Sequence, residues 1–149
     1  MIESLHRAPV LRALKHLGLG LMLVALPAAA SEGEVEYREH VMEAIGGHMQ
    51  AAADIAQQKV AHSDHLSLHV NGLVALSGII DTLFPESSQG GDALDAIWEN
   101  PDDFAAKIAD FQQAAGGLKM AVDGGGDVGS AFQKVGQACK ACHDDYRAE

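Results

Sequence analysis

The sequence predicts an all-α fold, an antiparallel four-helix bundle over residues 31–149. Apolar residues recur at alternating steps of three and four, the spacing that places them on one face of a helix. Strong breakers, Pro85 and the glycines at 124–126, divide this pattern into segments of helical length. A period of 3.5 residues favours helices that pack side by side with a left-handed twist, and short joints favour antiparallel neighbours.

The first 30 residues are predicted to be a cleaved signal peptide. Arg7, Arg12 and Lys15 precede the apolar run LGLGLMLVALP, and small residues follow at 28–30. A basic start, a short apolar core and an A-x-A site are typical of secretory signals. Because the run is too short to span a bilayer well, an uncleaved anchor is the weaker alternative. We expect export to the periplasm and no membrane attachment after cleavage.

The chain is acidic, with a net charge of −11 over 149 residues. Removing residues 1–30 makes it more acidic still, since that segment holds three basic residues and one acid. This balance argues against nucleic acid or an anionic membrane as partner. It favours protein partners with basic patches. An exported chain also meets an oxidising compartment. There its two cysteines would either form a disulfide or be consumed by other chemistry.

The first two helices are predicted over residues 31–60 and from about Ser63 to Pro85, which stops the second. Ser31 and Glu34 can form a capping box at the first. The inward stripe of the first is Val35, Arg38, Met42, Ile45, Met49, Ala52 and Ala56. That of the second is Leu66, Val70, Leu73, Ser77, Ile80 and Phe84.

The third helix is predicted to start with Asn100 as N-cap before Pro101, after a long connection with a short helical turn near residues 93–98. The glycines at 124–126 end it, and Asp127 caps the fourth. The inward stripe of the third is Phe104, Ile108, Phe111, Ala115, Leu118 and Val122. That of the fourth is Val128, Phe132, Val135, Cys139, Cys142 and Tyr146.

The predicted inward stripes contain few large side chains. Several inward positions are Ala, and the chain has one Trp and four Phe. Paired glycines at 46–47 and 116–117 lie inside helices, where each costs about 1 kcal/mol relative to Ala. Close packing against something bulky would explain them, and a large flat apolar cofactor would supply the missing volume.

The chemistry-bearing motif is the run GQACKACHDDYR near the C-terminus. Cys139 and Cys142 lie on one helical face, and His143 lies one turn beyond Cys139. C-x-x-C-H is the attachment sequence for c-type haem, whose vinyl groups take the two thiols while the histidine reaches the iron. The motif therefore predicts one covalent haem c on the last helix.

Three other uses of the cysteines are less consistent with the sequence. A structural zinc site needs about four ligands, and no second cysteine pair exists. A thioredoxin-like dithiol opens a helix after a strand, whereas Cys139 comes late in the last helix. A disulfide between Cys139 and Cys142 would cross-link residues only one turn apart.

The arrangement resembles the class II c-type cytochromes, the cytochrome c′ family. The resemblance is carried by YREHVMEAIGGHM, LFPE, AIWENPDDF and VGQACKACHDDYR, and it covers residues 34–147. It implies thioethers at Cys139 and Cys142 and His143 as the proximal ligand. It also implies that Arg147 lies near that histidine and that Arg38 lies close to the haem propionates. Arg38 interrupts an apolar stripe, and an arginine that snorkels at a bundle end is the alternative.

Met42 occupies the position from which the family's first helix faces the other side of the iron. The resemblance implies two outcomes there: a Met sixth ligand in low-spin electron carriers, or five-coordinate iron that binds NO or CO. An ordinary core methionine is a third reading. We expect ligation, because no aromatic or branched residue occupies this position. A thioether ligand would raise the potential and close the gas site.

The sequence thus predicts a periplasmic haem electron carrier without enzymatic activity. The alternative is a five-coordinate NO- or CO-binding protein, and a more distant one is a haem-free thiol oxidoreductase. Homodimers are common in the family. His62, His65 and His69 share a helical face that could bind zinc or copper, but a solvated face is the simpler expectation. His40 and His48 neighbour the Met42 stripe without a matched role.

Overall fold

The computed structural model describes residues 32–149, so the predicted signal peptide and Ser31 lie outside the described residues. The described chain is an all-helical bundle with four main helices and one short helix, which confirms the predicted fold class. In chain order these are α1 (Glu32–Ala56), α2 (Leu66–Ser77), the short α3 (Ala96–Glu99), α4 (Pro101–Gly124) and α5 (Val128–Tyr146).

Neighbouring main helices pack antiparallel. α1 packs on α2, α2 on α4, and α4 on α5. The carbonyl of Ser77 at the end of α2 accepts a 3.0 Å hydrogen bond from Gln112, while Phe84, further along, packs on Phe104. Residues later in the chain after α2 therefore contact residues earlier in α4, so the two segments run in opposite directions. The tight turn at residues 125–127 reverses the chain between α4 and α5.

The predicted inward stripes of the last two main helices are confirmed. All predicted α4 positions are buried except Val122, which is half-buried. On α5, Val135 and Tyr146 are buried, and both cysteines are half-buried. These side chains join those of α1 and α2 in one apolar core.

The stripe on α1 drifts from the predicted one. Val41 and Ile55 are buried, whereas the predicted Ala56 is exposed. A straight helix has 3.6 residues per turn, so a strict 3.5-residue pattern slips around its surface over several turns. The helix also ends at Ala56 rather than near residue 60, because Gln58 adopts a left-handed φ of 56°.

The prediction that the second helix runs on to Pro85 is wrong in its second half. A 3₁₀ turn at Ser63–His65 leads into α2, which ends at Ser77 before Gly78. The Ser77 hydroxyl donates to the Val74 carbonyl, a back-bond that competes with the helical ladder. A second 3₁₀ turn at Ile80–Thr82 keeps Ile80 buried despite the break.

The predicted boundaries of the last two main helices hold, with one difference at a cap. Asp127 accepts a 2.9 Å hydrogen bond from the Ser130 amide, as predicted. Asn100 precedes Pro101 as predicted, but its side chain donates to the Ala96 carbonyl and does not cap the helix. Gly125 ends α4 in the left-handed conformation, with a φ of 69°.

A cavity of about 630 Å³ lies between α1 and α5, which touch each other at few positions. α4 and the segment after α2 close its sides. Within residues 32–149, none of the helices combines the length and apolar character needed to cross a bilayer.

Candidate functional site

The cavity brings together every site residue predicted from the sequence. Met42 and Arg38 line it from α1, and Cys139, Cys142 and His143 line it from α5, with Arg147 directly after that helix. Residues about a hundred positions apart therefore border one space. Helical spacing explains the α5 side, because steps of three and four keep a side chain on the same face.

Both thiols are poorly placed to ionise. Burial is the main cause that raises the pKa of the Cys139 thiol. Burial also raises the pKa of Cys142 to about 11, with Lys107 opposing the effect and Cys139 adding to it. A redox dithiol needs a lowered pKa so that a thiolate is present at neutral pH. These thiols therefore lack the activation that a thiol oxidoreductase requires.

His143 lines the cavity while its side chain stays exposed to solvent. Loss of hydration is the largest cause that lowers its pKa, the positive charge of Arg147 lowers it further, and Asp144 opposes both. A lowered pKa favours the neutral imidazole, which is the form that ligates metals. The shift therefore favours the form of His143 that can coordinate a metal.

Arg38 is buried, with only 3% of its surface exposed. Its guanidinium donates to the carbonyl oxygens of Ser88 and, at 2.7 Å, of Gly90, and it lies 5.2 Å from the centre of the Phe84 ring. Burial is the main cause that lowers its pKa. The alternative of an arginine snorkelling to solvent is therefore wrong, and the side chain joins α1 to the loop after α2.

Arg147 is exposed and forms a 3.2 Å ion pair with Asp92. Its backbone amide donates to the carbonyl of His143 at 3.1 Å. The residue thus lies beside the histidine, and its charge faces an acid from the connection before α3.

Aromatic residues form one wall of the cavity, and the sequence did not single them out as site residues. Phe104 packs edge-to-face on Phe84 and on Tyr146, with ring centres 4.7 and 5.1 Å apart. The Tyr146 hydroxyl donates to Asp103 at 2.6 Å. The dense aromatic content around Phe84 and Phe104 in an otherwise Ala-rich chain was the available signal.

The cavity fits a large flat apolar group. Its volume lies in the range of about 300–1,000 Å³ that is usual for ligand pockets, and apolar side chains dominate the lining. Gly46 lines it from α1, and a Cβ placed there would meet no described atom within 4 Å beyond its own helix backbone. A cofactor can therefore approach the α1 backbone closely at this position. Among residues 32–149, no packed neighbour explains Gly47, Gly116 or Gly117.

The family model described as Cytochrome C′ matches residues 33–147. This chain belongs to the cytochrome c′ family. Cytochrome c-554 of Cereibacter sphaeroides is 33% identical over 152 residues, which cover 92% of this chain and 98% of that protein. Cytochrome c-556 of Agrobacterium tumefaciens is 38% identical over 119 residues, which cover 77% and 97%.

Solved cytochrome c′ structures share the fold. A nitric oxide complex of a variant of cytochrome c prime from Alcaligenes xylosoxidans is similar with a TM-score of 0.74 at 30% identity. The similarity covers 79% of this chain and 96% of that one. A second chain titled cytochrome c′ gives the same TM-score over 78% of this chain and 96% of its own length.

Family membership confirms the predicted cofactor. Proteins of the cytochrome c′ family bind one covalent haem c through a CxxCH sequence and are non-enzymatic haem proteins. They are typically periplasmic. The predictions of a class II c-type cytochrome, of one haem c and of a non-enzymatic role are therefore confirmed, and the haem-free oxidoreductase reading is set aside.

Proposed function

We propose that this chain carries single electrons in the periplasm, with Met42 as the sixth ligand of the haem iron. The observation that carries the proposal is that Met42 lines the same cavity as Cys139, Cys142 and His143. When bound, the haem supplies the one-electron couple of its iron. The chain supplies attachment, ligation, burial and charge.

In this proposal, Cys139 and Cys142 attach the haem through thioethers, and His143 is the proximal ligand. The support is that all three side chains border the cavity from one helix, with both thiols half-buried and the imidazole favoured in its neutral form. Because the two cysteines and His143 lie on one helix, attachment through the thiols would hold the haem within reach of the imidazole.

Met42 borders the cavity from α1, the helix on the other side from α5. Its side chain is half-buried and packs against the apolar core. An unbranched thioether adapts its shape to the space available, and as an axial ligand it raises the potential and blocks small ligands. Both effects suit an electron carrier.

The two arginines are proposed to face the haem carboxylates. The guanidinium of Arg38 reaches its two carbonyl partners through Nη1 and Nη2, which leaves further N–H groups for an anion at the cavity wall. Arg147 sits beside His143 and supplies a second positive charge. Both charges would favour binding of a dianionic group over a neutral one.

Acidic side chains at the cavity favour a basic redox partner. Glu39, Glu43 and Asp92 line the cavity along with Met42, and the first three are exposed. With a net charge of −11, the chain would attract a partner with a basic patch, and these acids would direct it to the cavity that would hold the haem.

Binding of NO or CO is the second candidate function. The observation in its favour is that the similar solved structures include nitric oxide complexes of cytochrome c prime from Alcaligenes xylosoxidans. In that case Met42 would be an apolar neighbour of five-coordinate iron and not a ligand.

Spin state distinguishes the two functions. The purified holoprotein is compared with the Met42→Leu variant, which keeps the volume but removes the sulfur, by electron paramagnetic resonance of the ferric state. Met49→Leu, a second methionine that lines the cavity, is the matched control. We expect low-spin iron in the wild type and in Met49→Leu and high-spin iron in Met42→Leu. High-spin iron in the wild type favours the gas-binding function.

A further inference from the structure

Two histidines from different helices meet at a place away from the haem cavity. His48 of α1 and His69 of α2 lie with their Nδ1 atoms 3.1 Å apart. Their ring centres are 5.4 Å apart and the ring planes are tilted by 59°, so the Nδ1 edges are the point of closest approach. Both side chains are half-buried. Neither residue lines the cavity that holds the site residues.

The separation of these two nitrogens suits a shared metal ion. Imidazole nitrogens bind zinc at about 2.0–2.1 Å, so two ligands at a tetrahedral angle lie about 3.3 Å apart and two at a right angle about 2.9 Å apart. The observed 3.1 Å lies between these values. In the structure the same separation is that of a hydrogen bond between the rings, and the 5.4 Å between ring centres shows that the two nitrogens point at each other. Both rings would therefore have to turn, giving up this hydrogen bond, before an ion could bind to the two nitrogens.

The neighbouring helix is shaped to hold the His48 ring. A Cβ placed on Gly72 of α2 would lie 2.6 Å from Cε1 and 2.7 Å from Nε2 of His48. Real Cβ atoms do not approach other atoms so closely, so any larger residue at position 72 would displace the imidazole. Glycine within a helix lowers stability relative to alanine. At position 72 the absence of a side chain leaves the space that the His48 ring occupies.

The chemistry of the pair selects a borderline transition metal. Two neutral imidazoles suit Cu²⁺, Zn²⁺ or Ni²⁺, with Cu²⁺ bound most tightly in the usual order, and they do not suit Mg²⁺ or Ca²⁺. Among residues 32–149, no third His, Cys, Asp or Glu completes a cluster around an ion. Water would therefore fill the remaining positions from the exposed side of the pair.

The two other histidines of this region, His62 and His65, contact each other. His65 stacks on His62 with ring centres 5.1 Å apart, and it lies 3.7 Å from Asp64. Both rings are exposed. The face of three histidines visible in the sequence is thus divided in the structure, with His69 turned toward α1.

We propose that His48 and His69 form a two-histidine site for a divalent transition metal, with Cu²⁺ the preferred ion, which joins α1 to α2. The ion binds the folded pair and not the separated helices of the unfolded chain, so it stabilises the folded protein by mass action. Because α1 also carries Met42, the ion fixes the helix that forms one wall of the haem cavity.

The test titrates Cu²⁺ into ferric holoprotein, because ferric iron has no electron to pass to the added ion. Isothermal calorimetry in a non-chelating buffer gives affinity, and electron paramagnetic resonance reports nitrogen ligation. His48→Gln and His69→Gln keep a polar side chain of similar size and so favour folding. We expect each to weaken binding by about 10-fold or more, since loss of a group that merely orients a ligand costs that much.

Two matched controls separate this site from adventitious binding. His40→Gln removes an exposed histidine of α1, and His65→Gln removes one of the stacked pair. Both should keep wild-type affinity for the first equivalent of Cu²⁺. Gly72→Ala, which retains both imidazoles but displaces the His48 ring, should weaken binding as the glutamine variants do. At the same Cu²⁺ concentration, the Cu²⁺-dependent rise in melting temperature should be smaller in these three variants than in the wild type.

Two results would overturn the proposal. One is an affinity for Cu²⁺ that is unchanged in His48→Gln or in His69→Gln. The other is the absence of stoichiometric Cu²⁺ binding by the wild type, which would leave the pair as an imidazole–imidazole hydrogen bond. Neither result bears on haem attachment or on Met42.

Discussion

The Tyr146 hydroxyl donates a 2.6 Å hydrogen bond to a carboxylate oxygen of Asp103, which joins the last turn of α5 to the first turn of α4. Tyr146 follows His143 by three residues and is itself buried. Its ring also packs edge-to-face on Phe104. The contact therefore fixes the end of the helix that bears both cysteines and the histidine.

Tyr146→Phe should lower the melting temperature of the holoprotein by about 2–6 °C, because it removes one hydrogen bond and keeps the packed ring. Tyr37→Phe is the matched control, since Tyr37 is exposed on α1. The melting temperature of Tyr37→Phe should equal that of the wild type. Equal melting temperatures for the two variants would contradict a positioning role for the Tyr146 hydroxyl.

Stability should also fall in alkaline solution through Tyr146. The hydrogen bond to Asp103 is the main cause that raises the pKa of Tyr146 from 10.0 to about 12 in the folded state. A raised folded-state pKa gives a contribution that is complete below the unfolded value and is lost as pH rises through the folded one. The free energies of unfolding of wild type and Tyr146→Phe, measured in urea, should therefore converge between about pH 10 and 12. A pH-independent difference between them would contradict this.

Arg38→Met should lower the free energy of unfolding by about 2–4 kcal/mol, because it leaves the carbonyls of Ser88 and Gly90 without their donors. Arg38→Lys keeps the charge but cannot reproduce the planar two-carbonyl contact, so we expect an intermediate loss. Urea unfolding of the holoproteins checks the order. A methionine variant as stable as the wild type would show that the two hydrogen bonds contribute nothing net.

Cys139→Ala combined with Cys142→Ala should abolish covalent haem, seen as loss of haem staining on a denaturing gel. Lys140→Ala, between the two cysteines, is the control, because Lys140 is exposed and pairs only with Asp144 among the described contacts. It should retain full staining. Staining retained by the double variant would place the attachment elsewhere in the chain.

The boundaries that the sequence predicted well depend on strong local signals. Pro101 and Gly125 act through their own backbone geometry, so α4 begins and ends where expected. The end of α2 was missed because Ser77 and Gly78 are weak breakers in sequence, and a 3₁₀ turn continues the inward pattern beyond them.

The α5 side of the site could be predicted because its residues lie within one helical turn and a fixed motif. The partners of Arg38 could not, since they are backbone carbonyls that leave no pattern in the side chains. Nor could the meeting of His48 with His69, because it depends on the relative register of two helices. Spacing within one helix carries no information on that register.

Addition of CO to the ferrous holoprotein tests Met42 ligation most directly, because iron with both axial positions filled does not bind CO readily. The visible absorption spectrum is recorded before and after addition. With Met42 bound, the spectrum of covalent haem should stay nearly unchanged in the wild type and shift promptly in Met42→Ala. A prompt CO shift in the wild type would contradict Met42 ligation and favour the gas-binding function.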